Sequence, residues 1–356
     1  MRIVFDISGA TEMSGGMRLH ATEIVRAWAT RYPEDHITVF GTRWAADEFR
    51  DLHQVRVLKW SNEGIPLRFF GQIFVAPSVR RLLKADFLVS LSPIVSPLTA
   101  KRRGVCFQHD WRHIKNPDEF SKAKKVYRKL WTLSASRALV NACISEKTRD
   151  ETLTIVPGSR TILVSNGGDH PSRWNTVMEK EAEDLAGSIV TFGHHNNKRP
   201  HLVIEGFARF LASNPESKAQ LVVLGARGSL QERLESLASG LGITSRVVFP
   251  GFVSDTQYQN IVAQAVCIVL ASSDEGYGLP MAEADYFGLP AIATSDSGLD
   301  SIFNNLIVAE PTSSGLEIAI KQALTVDTTS RAKTLPSWQD SASVLRRFLS
   351  TVALAH

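Results

Sequence analysis

The chain has 356 residues, of which 44% are hydrophobic, 21% charged and 8% aromatic. A composition this close to the globular average excludes a disordered, collagen-like or disulfide-framework chain, and at roughly 150 residues per domain the length suggests two domains. Lys plus Arg number 40 and Asp plus Glu 36, a formal net charge of +4, which suits anionic partners but is too small to name one.

The opening MRIVFDISGA has no long apolar core followed by a cleavage site, so no secretory signal is expected. No stretch approaches the roughly 18 uninterrupted apolar residues that a membrane span needs. Short apolar runs then alternate with helical patterns. In the first half the strand candidates are 3–7, 37–41, 55–59, 87–91, 105–108 and 139–144, with a helix over 18–31. In the second half they are 189–193, 221–225, 247–250, 267–271, 291–294 and 306–308, with helices over 201–213, 231–240 and 256–265. Strand and helix in alternation predict parallel sheets covered on both faces. The two series are separated by the polar segment 169–187, which reads as a linker. A last amphipathic helix is expected over 341–352. Cys106, Cys143 and Cys267 each lie inside an apolar run, which points to buried, reduced thiols of a cytosolic protein and not to a disulfide or metal site.

The segment richest in chemistry is Asp274-Glu275-Gly276-Tyr277-Gly278-Leu279-Pro280-Met281-Ala282-Glu283. It follows a strand and leads into a helix, whose first N–H groups can point at an anion. Gly276 and Gly278 would let the chain approach a ligand closely. Glu275 and Glu283 are carboxylates eight residues apart, able to accept hydrogen bonds from sugar hydroxyls. As a lone pair they would read as solvated surface residues, but the glycines and Pro280 between them favour a binding loop.

This segment resembles the E-x7-E motif of retaining glycosyltransferases of family 4, which have the GT-B fold. The following ADYFGLPAIATSDSGL resembles the family's continuation, within a mannosyltransferase- or rhamnosyltransferase-like subgroup. Val253-Ser254-Asp255, Glu310-Pro311 and Trp338 fit further family positions. The resemblance implies an α/β protein of two Rossmann-like domains whose parallel sheets face a cleft. It implies an acceptor-side domain over 1–168, a linker over 169–187 and a nucleotide-sugar donor domain over 188–336. A C-terminal helix over 337–356 would cross back to the first domain.

Site residues follow by resemblance. Gly15 and Gly16 are assigned to the donor diphosphate; alone, a glycine pair is a weak signal whose ordinary reading is a plain turn. His109, after the strand 105–108, is assigned to the donor sugar and phosphate. His194, Lys198 and Arg199 fall in the family's basic loop. The order of the two cations is exchanged, which leaves open which one meets the leaving group. Glu275 would position the sugar, the Gly276-Tyr277-Gly278-Leu279 backbone would hold phosphate, and Glu283 would hold the ribose. Ser301 stands near a position where many members carry glutamate.

No D-x-D spacing occurs in the chain. Lys, Arg and helix N-termini can supply the charge stabilisation instead, so no cofactor and no metal are expected. Residues 120–137 read as a helix with Lys122, Lys125 and Lys129 on one stripe and Ala123, Val126, Leu130 and Leu133 on another. Its ordinary reading is a solvated face over a buried one; the second reading is contact with an anionic membrane. The aromatic run around Phe69, Phe70 and Phe74 tilts towards the second.

The expected protein is a cytoplasmic retaining hexosyltransferase, with peripheral contact at the membrane's inner face as the second expectation. It would take a nucleotide-diphosphate sugar and a saccharide or lipid-linked acceptor. The alternatives are a GT-B sugar-phosphate enzyme (phosphorylase, hydrolase or epimerase) and a non-catalytic sugar-binding protein. Dispersed basic residues argue against nucleic acid.

Overall fold

The computed structural model describes residues 1–12, 14–61, 64–100, 102–120, 122–174, 185–326 and 335–354. The chain divides into two compact units, Met1–Gly167 with Pro336–His356, and Gly168–Leu335.

In the first unit the order is β1 (Arg2–Asp6), α1 (Gly15–Arg31), β2 (His36–Gly41), α2 (Arg43–Glu48) and β3 (Val55–Lys59). There follow α3 (Gly64–Phe70), a π-helical turn (Gly71–Val75), α4 (Ala76–Leu82), β4 (Phe87–Ser90), β5 (Gly104–Gln108) and α5 (Arg112–Lys115). Next come α6 (Lys122–Arg137), β6 (Val140–Cys143), α7 (Glu146–Ile155) and β7 (Thr161–Leu163). All seven strands pair in parallel, in the order β3-β2-β1-β4-β5-β6-β7. β4, β5 and β6 are buried along their whole length. A parallel sheet covered on both faces demands such continuous apolar runs, so they were readable without alternation.

The second unit runs β8 (Ile189–Phe192), α8 (Pro200–Ser213), β9 (Leu221–Leu224), α9 (Gly228–Gly240), β10 (Val247–Gly251) and α10 (Asp255–Ala263). It continues with β11 (Cys267–Leu270), α11 (Leu279–Phe287), β12 (Ala291–Thr294), β13 (Leu306–Ala309) and α12 (Ser313–Ala323). Its sheet is also parallel, ordered β10-β9-β8-β11-β12-β13. Val203, Ile204 and Phe207 of α8 join Leu316 and Ile320 of α12 in one core with the strands. The last helix, α13 (Trp338–Leu354), belongs to the first unit. There Ser341 donates to the Ser165 carbonyl, Tyr32 donates to Ser343 at 3.0 Å, and Arg346 grips Asp35.

Three differences from the sequence pattern have physical causes. α1 begins at Gly15, three residues before the predicted start, because the glycine pair forms its first turn. α3 has no buried residue, so it carries no inward apolar stripe to betray it. In α6 the stripe read as inward is split: Val126 is 66% exposed and Leu133 is exposed too, while Leu130 packs at the edge of the core. The buried face is one position further on, at Trp131, Ser134 and Ala135. Of the segment read as a linker, residues 170–173 form a 3-10 turn and 175–184 lie outside the described residues. All three cysteines are buried thiols.

Candidate functional site

In the second sheet the chain lays down β8, β9 and β10 in one direction, then returns to start β11 on the other side of β8. Loops leaving the carboxyl ends of β8 and β11 therefore diverge, which opens the crevice where ligands of such sheets bind. The loop after β8 carries His194, His195, Asn197, Lys198 and Arg199; the loop after β11 carries 271–278. They meet where the Lys198 ammonium donates to Glu275 Oε1 at 2.5 Å, with both side chains mostly buried.

Arg199 is employed differently. Its backbone sits in the left-handed region (φ 45°) just before α8. Its guanidinium donates to the Ala271 carbonyl at 2.6 Å, to Thr294 Oγ1 at 2.9 Å, and in a fork to both oxygens of Asp296 at 2.8 and 2.6 Å. Hydrogen bonding from Arg199 holds the Asp296 carboxyl below the usual carboxylate range. Arg199 thus ties the tips of β11 and β12 together, while Lys198 is the cation held at the carboxylate.

Next to Lys198, Asn197 is buried and neither polar atom of its side chain finds a hydrogen-bond partner among the described residues. An unpaired buried polar group costs about 1–3 kcal/mol, and such groups collect where a ligand completes the bonding.

The E-x7-E segment divides. Gly278 has φ 83° and precedes α11, and a Cβ there would lie 2.6 Å from Leu299 Cδ2. Backbone and packing already demand this glycine, so close approach of a ligand is not what selects it. The Tyr277 ring is buried edge-on against Phe303 at 5.5 Å, so this side chain serves packing. Gly276 and Leu279 are half-buried.

Glu283 is 2% exposed and both its oxygens are engaged. Oε1 is 3.2 Å from His170 Nε2, and Oε2 accepts from the Tyr258 hydroxyl at 2.5 Å. Burial first, and Glu283 second, push the Tyr258 hydroxyl well above its ordinary pKa, so it stays a donor. Trp174 closes this cluster against His170, Tyr258 and Phe287. A ribose bound at Glu283 would have to exchange with one of those partners. His194 is exposed, with its ring 4.8 Å edge-on from that of His195. Among the described residues no group of three His, Cys, Asp or Glu could hold a metal.

The first sheet switches direction between β1 and β4. Asp6 ends β1, buried, and its Oδ1 accepts from the Ser8 amide at 3.0 Å and the Ser8 hydroxyl at 2.6 Å. Gly9 packs so closely that a Cβ would lie 2.6 Å from Ser92 Oγ, just beyond β4. Gly15 opens α1 with no atom within 4 Å of a built Cβ, and Gly16 lies in the same first turn.

His109, beyond β5, has its Nε2 3.1 Å from the Leu91 carbonyl. A carbonyl only accepts, so Nε2 carries the proton and Nδ1 remains an acceptor. Burial lowers the His109 pKa, so the ring is neutral at pH 7. A neutral ring with a free lone pair accepts from a sugar hydroxyl better than it supports a phosphate, which narrows the role expected from sequence. His20 stands edge-on to it at 4.7 Å, fixed by Asn166 at 2.8 Å.

Residues 179–333 match the family described as Glycosyl transferases group 1. The matched residues lie within the second unit. D-inositol 3-phosphate glycosyltransferase of Acidothermus cellulolyticus is 26% identical over 196 residues, 53% of this chain and 42% of that protein. The chain spans less than half the length of the curated relatives it matches. Among solved structures, sucrose-phosphate synthase from Thermosynechococcus elongatus aligns over 100% of both chains with a TM-score of 0.72 and 16% identity. The Anabaena protein HepE, solved with UDP-glucose, aligns over 100% of both chains with a TM-score of 0.70 and 19% identity. At such identities the likeness shows the fold: two Rossmann-like units with parallel sheets, of the GT-B type.

Sequence reasoning missed Asp6, Asn197, His170 and Tyr258. Only Asp6 left a signal, as an acid closing the otherwise apolar run IVFD. Burial raises its pKa to about 6 from 3.8, against the lowering effect of Ser8. A carboxyl raised in the fold stabilises nothing when ionised: stability is complete below about pH 4 and declines as pH rises to about 6. A shift of this size corresponds to about 3 kcal/mol. Asp6→Asn should therefore raise the urea midpoint at pH 7 to 8, with the gain vanishing near pH 4. An equal gain at both pH values would contradict the assignment.

Proposed function

We propose that the chain is a retaining, metal-independent hexosyltransferase that moves a sugar from a nucleotide-diphosphate donor to a saccharide or lipid-linked hydroxyl. The observation that supports it most is the Lys198–Glu275 pair at the switch point of the second sheet, inside the segment that matches the glycosyl transferase family. A diphosphate would draw Lys198 off Glu275 and release that carboxylate for the hydroxyls of the donor sugar. Asn197 and the backbone of 276–279 would add donors to the phosphates, and Glu283 would take the ribose in exchange for Tyr258 or His170.

The bond between the anomeric carbon and the β-phosphate oxygen breaks while the acceptor oxygen bonds to the same face of that carbon. The acceptor proton passes to the departing phosphate oxygen, whose growing charge Lys198 stabilises. His109, through Nδ1, would orient a sugar hydroxyl, and Gly15 and Gly16 would leave room for phosphate at the start of α1.

HepE is described with UDP-glucose, so a UDP-sugar is the first donor to test, with a GDP-sugar second. In a thermal-shift series over UDP, GDP, ADP and their sugars, one nucleotide should raise the melting temperature, and EDTA should leave both the shift and turnover intact. No shift with any of them, or turnover abolished by EDTA and restored by magnesium, would refute this reading.

No helix among the described residues is long and apolar enough to cross a membrane. Peripheral contact with an anionic membrane is proposed for the first unit. Phe69, Phe70 and Phe74 are exposed on α3 and the π turn, and Val126 is exposed on α6, which also carries lysines. Flotation with anionic vesicles at low salt should carry the protein up, and absence of binding there would remove this part of the proposal.

A further inference from the structure

The switch point of the first sheet, between β1 and β4, holds a carboxylate that the proposed transfer does not use. Asp6 closes β1, in register with Phe40 on one side and Ser90 on the other. Beyond the strand the Ser8 amide and hydroxyl both donate to its Oδ1, and no described residue donates to Oδ2. The residue is 1% exposed, yet Oδ2 is not one of the unpartnered polar atoms sealed from solvent. That is room for one oxygen at hydrogen-bond distance, because two oxygens in contact and two sharing a hydrogen bond are equally far apart, about 2.8 Å.

The surroundings are polar and fixed. Ser90 Oγ lies 3.1 Å from Ser92 Oγ, Gln72 Nε2 donates to Ser92 Oγ at 3.0 Å, and Tyr127 donates to Gln72 Oε1 at 2.7 Å. Gln72 comes from the π-helical turn, a distortion found frequently at functional sites. Gly9 holds the loop after Asp6 down on this group: a Cβ there would lie 2.6 Å from Ser92 Oγ and 2.9 Å from Gln72 Nε2. The Leu91 amide donates to the Asp6 carbonyl at 3.0 Å, and the Leu91 carbonyl accepts from His109 Nε2 at 3.1 Å. One residue, Leu91, therefore ties the end of β1 to the ring assigned to a sugar hydroxyl.

Asp6 costs the fold stability where it stands, since burial raises its carboxyl to about 6 against both Ser8 bonds. Carboxyls displaced in this way cluster at functional sites, and a ligand groove of an open parallel sheet lies at the carboxyl ends of its strands, at the switch point. The partner that Oδ2 lacks has to donate a hydrogen bond. A hydroxyl does so; an ionised phosphate oxygen only accepts, and its charge would oppose that of the carboxylate.

We infer that Asp6, through Oδ2, is the contact in the first unit for a hydroxyl of the sugar or polyol that receives the transferred group. This rests on the proposed reading of the chain as a glycosyltransferase whose first unit takes the acceptor. It adds the residue that selects an uncharged hydroxyl there. The hydroxyl held by Asp6 is not the reacting one, whose proton passes to the departing phosphate oxygen.

The test is calorimetric titration of the full chain with glucose, galactose, mannose and myo-inositol, after saturation with the nucleoside diphosphate that gives the largest thermal shift. At least one of the four should bind, and Asp6→Ala should weaken that binding by about tenfold to a hundredfold. A donated hydrogen bond favours the ionised carboxyl, so the parent's affinity should strengthen from about pH 5 to about pH 7. Asp6→Asn should abolish that rise. Of the groups around Asp6, burial raises Tyr127 to about 12, with Arg68 and Arg128 acting against it and Asp6 with it, and burial also raises the Cys106 thiol. Neither ionises in this range, and the two arginines stay charged. Any titration of His109 is common to parent and Asp6→Asn, so the difference between them belongs to Asp6. Asp6→Asn is also the variant expected to gain stability, and its urea midpoint reports that it is folded.

Weaker binding by Asp6→Ala, together with a pH response that Asp6→Asn loses, supports the contact. No binding of any of the four by the parent, equal affinity in parent and Asp6→Ala, or a pH response absent from the parent or kept by Asp6→Asn, overturns it. If no nucleotide shifts the melting temperature, the donor reading fails by itself, and the same titrations are read on the nucleotide-free chain.

Discussion

Glu275→Ala is expected to lower turnover by about 10²–10³-fold, the usual cost of removing one preorganised electrostatic partner, while the chain stays folded. The reason is geometric: Glu275 is the carboxylate that loops 193–199 and 271–278 bring together with Lys198. Lys198→Ala should weaken nucleotide diphosphate binding as well as turnover, because it removes the cation that the proposed mechanism sets against the leaving group. Removing both should cost less than the product of the single losses, since residues that contact one another do not act additively. Arg199→Ala should lower the melting temperature, because its donors hold Ala271, Thr294 and Asp296 in place. Turnover measured as acceptor-dependent nucleotide release distinguishes these outcomes. A fully active Glu275→Ala enzyme would exclude it from the chemistry, and release at full rate without acceptor would mark a hydrolase.

Asp35→Ala should destabilise the first unit strongly, by about 3–5 kcal/mol, the cost of breaking a buried ion pair. Asp35 has a fully buried side chain. It accepts from the Met1 amine at 2.8 Å, Trp28 Nε1 at 3.0 Å and Arg346 Nε at 2.8 Å, and so joins α1 to α13. Burial acts to raise its pKa, but Arg346, the N-terminal amine and Trp28 outweigh burial and hold it below the ordinary value. A lowered carboxyl contributes its full stability above the ordinary carboxylate range, and loses it as pH falls through the lowered value. Parent and variant should therefore differ strongly in urea midpoint near pH 7 and converge in acid. A difference that persists unchanged in acid would assign the effect to packing.

Much of the scaffold was legible because parallel sheets buried on both faces leave apolar runs that survive in one dimension. The strands from β1 to β6 and from β8 to β13 were all anticipated near their observed places. β7 was not: it is three residues long and only half-buried, at a sheet edge, which leaves no run to detect. α6 shows a different limit. Its periodicity was visible, but two apolar stripes lie on the helix, and only packing of Trp131 with Ile73 and Trp111 selects which one is inside.

At the candidate site, sequence alone placed the candidate residues on particular loops. The positions of Glu275, Glu283, Lys198, Arg199 and His109 relative to strand ends follow from a motif and from strand–helix alternation. What each side chain does there was decided by tertiary structure. Lys198 and Arg199 are adjacent cations with similar chemistry, yet one pairs with Glu275 and the other is drawn into a fork with Asp296, 97 residues away. Glu283 looks as open in the sequence as Glu275, yet Tyr258 and His170, the latter 113 residues distant, enclose it. Hydrogen-bond partners so far apart along the chain leave no local pattern. Hydrophobic periodicity records burial, which a strand or helix imposes on its own residues. The pairing of polar groups depends on which strand tips the fold brings side by side, and that exists only once the sheet has formed.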